Sequence, residues 1–142
     1  MSLEQLQEIR ERRMEKQQKA VFQSKELVQT AAQQVELCKQ NLLNFQQWRL
    51  NRQEELFKGL QGQACSPQSM FDYRAQLEKL VQEEEQLKLV ITDSQKNFEI
   101  TKKKHIQVQE VATALVLKNE KTKEIVKTQQ QAERALQRKA DA

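Results

Sequence analysis

Side chains that favour a helix seam recur every seven positions along most of the chain, in two interleaved rows typical of a coiled coil. In the first part of the chain the rows are Met14, Val21, Val28, Val35 and Leu42, and Gln17, Ser24, Ala31, Cys38 and Phe45. In the second part the rows are Leu77, Glu84, Ile91, Phe98, His105, Ala112, Asn119, Val126 and Glu133, and Leu80, Leu87, Ser94, Thr101, Val108, Leu115, Thr122, Gln129 and Leu136. Eight of these eighteen later positions are polar, so we expect a thin seam that weakens after Leu117.

The residues that interrupt helices are concentrated in one short stretch. The chain has two glycines and one proline, and Gly59, Gly62 and Pro67 all lie there. Either glycine can supply the left-handed residue that closes a helix. Ser66 before Pro67 is typical of an N-cap followed by the first helical residue. The pattern predicts an all-α chain, with helix one at about 3–58, a loop at 59–66 and helix two at about 67–138.

Two long polar helices joined by one short loop are expected to pair with each other as an antiparallel coiled-coil hairpin. We predict a single domain over residues 1–142, with helices roughly 80 and 105 Å long. A turn centred near Gln63 places Phe45 near Leu80 and His105 near Val21. The last roughly 15 to 18 residues of helix two then extend past helix one. An open V that dimerises with another chain is the alternative arrangement.

Composition narrows the class of protein further. Charged residues make up 31% and hydrophobic residues 37%, with a net charge of only +4, which favours solvated helix over disorder or a compact α/β enzyme. No apolar run is long enough to span a bilayer, and the charged N-terminus lacks the apolar core of a signal peptide. We therefore expect a cytoplasmic protein with no direct membrane insertion.

Candidate chemistry is sparse. Cys38 and Cys65 are interpreted as reduced thiols, one in the seam and one in the turn, and with His105 they cannot assemble a familiar metal site. We find no nucleophile paired with a base and no phosphate-binding loop. No catalytic residue, metal or cofactor is expected, and the protein is expected not to be an enzyme.

Basic residues lie near both ends of the chain, and a hairpin brings them to one tip. Segment 118–139 has seven basic and three acidic residues. A solvated charged face is the simplest interpretation. Nucleic-acid binding would call for aromatic residues between the cations, and a membrane-surface helix would call for bulky apolar residues opposite them. Since neither pattern is present, nucleic-acid and membrane binding are both weaker interpretations than a solvated face.

Aromatic residues cluster on both sides of the loop. The cluster includes Trp48, Phe57, Phe71 and Tyr73. Arg49 lies beside Trp48 at a seam position, so we expect the simple seam to stop there. These side chains either widen and lock the head of the hairpin or form a partner-docking surface, because Trp, Tyr and Arg are common interface hot spots.

The stretch Trp48-Arg49-Leu50, followed after five residues by Leu56-Phe57 shortly before the loop, resembles the YscO family of type III secretion. A Gln- and Glu-rich first helix that opens with arginines is also similar to this family. Its members are injectisome stalk proteins related to the flagellar FliJ.

The resemblance implies a coiled-coil hairpin similar to the central stalk of rotary ATPases. Its termini would enter the pore of the hexameric secretion ATPase, and the hairpin would reach the cytoplasmic domain of the export gate at the inner membrane. The resemblance also implies that secretion chaperones are partners. It further implies that the protein has a role in virulence. The candidate ATPase-facing residues are Arg10, Arg13, Lys127, Arg134 and Arg138.

Two other functions are compatible with the pattern. The thin seam could open to accept another helix, as in a chaperone or adaptor, or the chain could be a homo-oligomeric coiled-coil spacer. A stalk is expected to be a monomer, whereas a spacer is not.

Overall fold

Two long helices make up nearly all of the described chain. The computed structural model describes residues 2–62 and 66–142, in which α1 spans Leu3–Gln61 and α2 spans Pro67–Asp141. The described residues contain no strand, and the two helices pack against each other as an all-α helical hairpin. The predicted fold class is confirmed. The prediction for Cys65 lies outside the described residues.

The predicted seam positions are shielded from solvent in the structure. Every member of both rows from Met14 to Phe45, and from Leu77 to Val126, is buried or half-buried. The three later row members, Gln129, Glu133 and Leu136, are exposed, as are all residues from 127 to 142. The heptad pattern therefore identifies the contacting faces of both helices.

The contacts divide the chain into two units. The terminal unit contains α1 up to Val28 and α2 from Thr101, and the middle unit contains residues Gln29–Ile100. In the middle unit the buried apolar side chains are Ala31, Val35, Cys38 and Leu80. In the terminal unit the buried side chains are Asn119, Thr122 and Val126.

The seam continues further along α2 than the sequence suggests. We expected it to weaken after Leu117, yet Asn119, Thr122 and Val126 are among the most buried side chains of the described chain. The expectation was wrong about the extent of the covered seam, which reaches Val126 even where its residues are polar. Here Asn119 and Thr122 face contacts from α1 and are covered completely.

The predicted end of helix one was three residues too early. Gly59 lies inside α1, neither Gly59 nor Gly62 has a positive φ, and Gly62 N–H donates an ordinary helical bond to the Lys58 carbonyl oxygen at 3.2 Å. The prediction that a glycine in the left-handed conformation closes helix one was therefore wrong. A glycine within a helix costs only about 1 kcal/mol, which the paired helices tolerate.

α1 ends later than predicted, and the residues that face each other across the two helices are also shifted from the predicted pairing. His105 Nδ1 lies 2.5 Å from Ser24 Oγ, one turn beyond the predicted neighbour Val21. Phe45 lines a groove together with Lys79, Leu87 and Val90. The heptad pattern identifies the faces that meet, but it does not by itself fix the offset between the helices.

Side-chain caps fix the start of each helix. At α1, Ser2 Oγ accepts from Gln5 N–H and Gln5 Oε1 accepts from Ser2 N–H, each at 3.1 Å, which is a reciprocal capping box. At α2, Ser66 Oγ accepts from Ser69 N–H at 3.1 Å. The predicted Ser66 cap ahead of Pro67 is confirmed, whereas the capping box at Ser2 was readable from the sequence but not predicted.

We expect Ser66→Ala to lower the free energy of unfolding by about 1 kcal/mol, because it leaves the Ser69 N–H without its acceptor. Urea unfolding followed by circular dichroism measures this change. Ser66→Asp, which keeps an acceptor oxygen, is the matched control and should remain close to wild type. Equal losses in the two variants would contradict a capping role.

Candidate functional site

A charged pair from the two helices lies within the seam of the middle unit. Arg49 Nη1 donates to Glu84 Oε2, and Gln46 Nε2 donates to Glu84 Oε1 at 2.9 Å. The side chains of Arg49 and Glu84 are 22% and 14% exposed. Lys88 Nζ lies 3.8 Å from the same carboxylate. The simple apolar seam is interrupted at Arg49 by this charged pair, in which Glu84 satisfies the arginine across the interface.

The aromatic side chains around this pair differ in exposure. Trp48 is 50% exposed and Phe71 is 68% exposed, and Phe57 is also exposed, whereas Tyr73 is half-buried. The rings of Phe45 and Trp48 lie 5.6 Å apart between centroids and are tilted by 39°. Trp48 is therefore held by Phe45 on one side, while half of its surface remains available for another contact.

Two adjoining grooves cross this region of the middle unit, and Lys79 and Glu83 line both. The residues that complete the first groove are Trp48, Arg52, Glu55, Leu56, Gln76 and Leu80. Those that complete the second are Phe45, Gln82, Gln86, Leu87 and Val90. The grooves thus combine apolar walls with charges of both signs.

Polar side chains also pair across the seam of the terminal unit. Arg10 Nη1 donates to Thr122 Oγ1 and, at 3.2 Å, to the Lys118 carbonyl oxygen. Gln17 Nε2 donates to the Val108 carbonyl oxygen at 3.4 Å. Together with Ser24 and His105, these contacts supply partners for polar seam residues that the sequence pattern counts only as weak points.

The candidate basic residues fall into two groups. Arg10 is half-buried and engaged in the seam, so it is not part of a free charged face. Arg13, Lys127, Arg134 and Arg138 are exposed and make no ion pair within residues 2–62 and 66–142. The exposed cations are free to contact an acidic partner, and Arg10 is held by the protein itself.

Partners that the sequence analysis missed lie at seam positions of α2. The sequence pattern identifies Glu84 and Thr122 only as polar members of a row. Their roles follow once the two rows are compared at the offset seen in the structure. A sequence signal was therefore present, but it became readable only after the pairing of the helices was known.

The described residues lack two other kinds of feature. Within the described residues, no group of three or more His, Cys, Asp or Glu side chains could hold a metal ion. Neither described helix includes a stretch with the length and apolar character needed to cross a membrane.

These features define an antiparallel two-helix protein whose seam joins apolar residues with polar pairs. The chain belongs to the YscO family, because it matches the family described as "Type III secretion protein YscO" over residues 3–141. It is therefore a type III secretion protein. No curated protein and no solved structure matches the chain.

We expect Glu84→Leu to lower the free energy of unfolding by about 2 kcal/mol, because it leaves the half-buried Arg49 guanidinium without its carboxylate. Adding Arg49→Leu should restore most of the loss, since both charges are then replaced by apolar groups. Urea unfolding of the two single variants and the double variant measures the coupling.

Glu85→Leu provides the neighbouring control, because Glu85 is exposed and its pair with Lys88 is a surface contact. Its effect should stay within about 0.5 kcal/mol. If the losses from Arg49→Leu and Glu84→Leu simply add in the double variant, the two side chains do not stabilise the seam as a pair.

Proposed function

We propose that the chain is a non-enzymatic, monomeric stalk that links the hexameric secretion ATPase to the export gate and so supports protein export in the cytoplasm. Family membership supports a role in type III secretion. The observation that carries the finer proposal is the uncovered end of α2. Residues 127–142 are exposed and include the unpaired cations Lys127, Arg134 and Arg138.

The exposed cations are suited to the acidic surface of a larger partner. Because the side chains from 127 onward lie beyond the last buried seam residue Val126, a partner can surround this part of α2 without separating it from α1. Contacts with some ATPase subunits and not others would bias the closure of individual active sites. In this proposal the stalk promotes hexamer formation and ATP turnover without performing chemistry itself.

The exposed rings of the middle unit are proposed to contact the cytoplasmic domain of the export gate. Trp48 and Phe71 present large apolar surfaces, and their side chains lose little conformational entropy on binding. Both properties are typical of interface hot spots. Arg49 has a different role. Its guanidinium donates a hydrogen bond to Glu84, and this contact positions the helix that carries Trp48. Secretion chaperones are a further class of partner for the same surface.

The ATPase contact is tested by reversing two of the unpaired charges. We expect the wild-type chain to raise ATP hydrolysis by the purified cognate ATPase at low salt, and Arg134→Glu with Arg138→Glu to reduce that stimulation by about tenfold, because attraction becomes repulsion. Hydrolysis rate against stalk concentration is the measurement.

Lys96→Glu with Lys103→Glu is the matched control, since both lysines are exposed on the same helix but precede the uncovered end. The control should stimulate hydrolysis within about twofold of wild type. If wild type neither binds the ATPase nor changes hydrolysis at low salt, the stalk proposal is wrong.

The gate contact is tested by truncating the exposed rings. We expect Trp48→Ala and Phe71→Ala each to weaken binding to the purified cytoplasmic domain of the gate by about tenfold. Leu89→Ala is the control, because Leu89 is exposed on α2 and lines neither groove. Titration by calorimetry measures the affinities. If all three substitutions weaken binding equally, the rings do not form the proposed contact.

A further inference from the structure

The two most completely buried side chains of the described chain are polar. Asn119 and Thr122 are each 1% exposed, and both occupy seam positions of the terminal unit. In a thin two-helix seam such positions are ordinarily filled by apolar residues. Their burial therefore calls for a physical reason beyond packing.

These residues form a small network with α1, here called the polar latch. Arg10 Nη1 donates to Thr122 Oγ1 and to the Lys118 carbonyl oxygen, and Thr122 Oγ1 donates to that same carbonyl oxygen at 2.9 Å. Asn119 Nδ2 donates to Met14 Sδ at 3.5 Å. The latch comprises Arg10, Met14, Lys118, Asn119 and Thr122.

The latch is only partly satisfied. Asn119 Oδ1 is buried and has no hydrogen-bond partner among the described residues. The amide nitrogen of the same side chain donates to a thioether sulfur, which is a weak acceptor. A buried polar group without a good partner lowers the stability of the closed seam relative to an apolar residue of the same size.

Among the described residues, the seam of the middle unit has no comparable buried polar group without a partner. Four of the five buried apolar side chains of the described chain, Ala31, Val35, Cys38 and Leu80, lie in the middle unit, and Val126 alone lies in the terminal unit. Because apolar burial is the main stabilising contribution to a helix pair, the seam of the terminal unit should be the easier one to separate.

We propose that the polar latch allows the terminal unit to open in one cooperative step while the middle unit stays paired, and that opening releases the Arg10 guanidinium. In this step α1 up to Val28 separates from α2 beyond Thr101. Arg10 then loses the Lys118 and Thr122 acceptors and becomes available to an external partner. The inference rests on the seam alone and does not depend on the secretion role proposed above.

Cooperative opening differs measurably from ordinary fraying of helix ends. Fraying gives amide protection that falls gradually towards the termini. Cooperative opening gives one common opening free energy for α1 up to Val28 and for α2 from Thr101 to Val126, with a step to stronger protection in the helical residues 29–61 and 67–100. Hydrogen exchange of the full-length chain, resolved by mass spectrometry of peptides, distinguishes the two profiles.

Asn119→Leu tests whether the latch sets the opening. We expect exchange throughout the terminal unit to slow by on the order of tenfold, because the unpartnered oxygen is replaced by apolar surface. If leucine is too large and speeds exchange, the smaller Asn119→Val must slow it. Faster or unchanged exchange in both variants overturns the proposal.

Val35→Ala tests whether the two units open separately. It removes a buried methyl pair from the middle unit and should speed exchange in residues 29–100 by on the order of tenfold, while the terminal unit remains unchanged. Equal acceleration in both units would mean that the hairpin opens only as a whole. That result, or a smooth gradient in the wild-type chain, also overturns the proposal.

Discussion

The structure depends on one constraint: a seam between only two helices must find partners for the polar side chains that it buries, and among the described residues only the Asn119 amide oxygen is buried without one. An interior this thin has few apolar neighbours to offset an unpaired charge or amide. The chain meets this constraint by setting polar seam residues of α1 against polar groups of α2. Arg49 meets Glu84, Ser24 meets His105, and Arg10 meets Thr122. The apolar rows supply the attraction, and the polar pairs make the burial of the remaining positions tolerable.

The same constraint separates the two units chemically. The middle unit has an apolar centre and one charged pair, next to exposed rings that are proposed to meet the export gate. The terminal unit has a polar centre, and the exposed cations proposed to meet the ATPase follow it along α2. A firm seam keeps a docking surface in a fixed shape, whereas a softer seam allows side chains to be exchanged between internal and external partners. The division thus matches the two kinds of contact proposed for the protein.

Much of the fold was predictable from the sequence because heptad spacing reports which side of a helix is covered. The helix pair, the contacting faces and the Ser66 cap follow from residue type and spacing alone. The offset between the helices could not be read in this way, since every position in a row looks equivalent to its neighbour one heptad away. The partners of Arg49 and Arg10 could not be read from the sequence for the same reason, because each position was assessed without the residue that faces it. The role of Asn119 required the buried surface itself.

The three polar pairs have a mechanical consequence. An apolar seam with a seven-residue repeat can slide by one repeat and still bury similar surface, so it resists axial displacement poorly. Sliding this hairpin by one heptad would separate Arg49 from Glu84, Ser24 from His105 and Arg10 from Thr122 at the same time. The pairs are unevenly spaced along the helices, so no small slip restores all of them. While the seam is closed, each pair therefore opposes axial sliding of one helix past the other within its own unit.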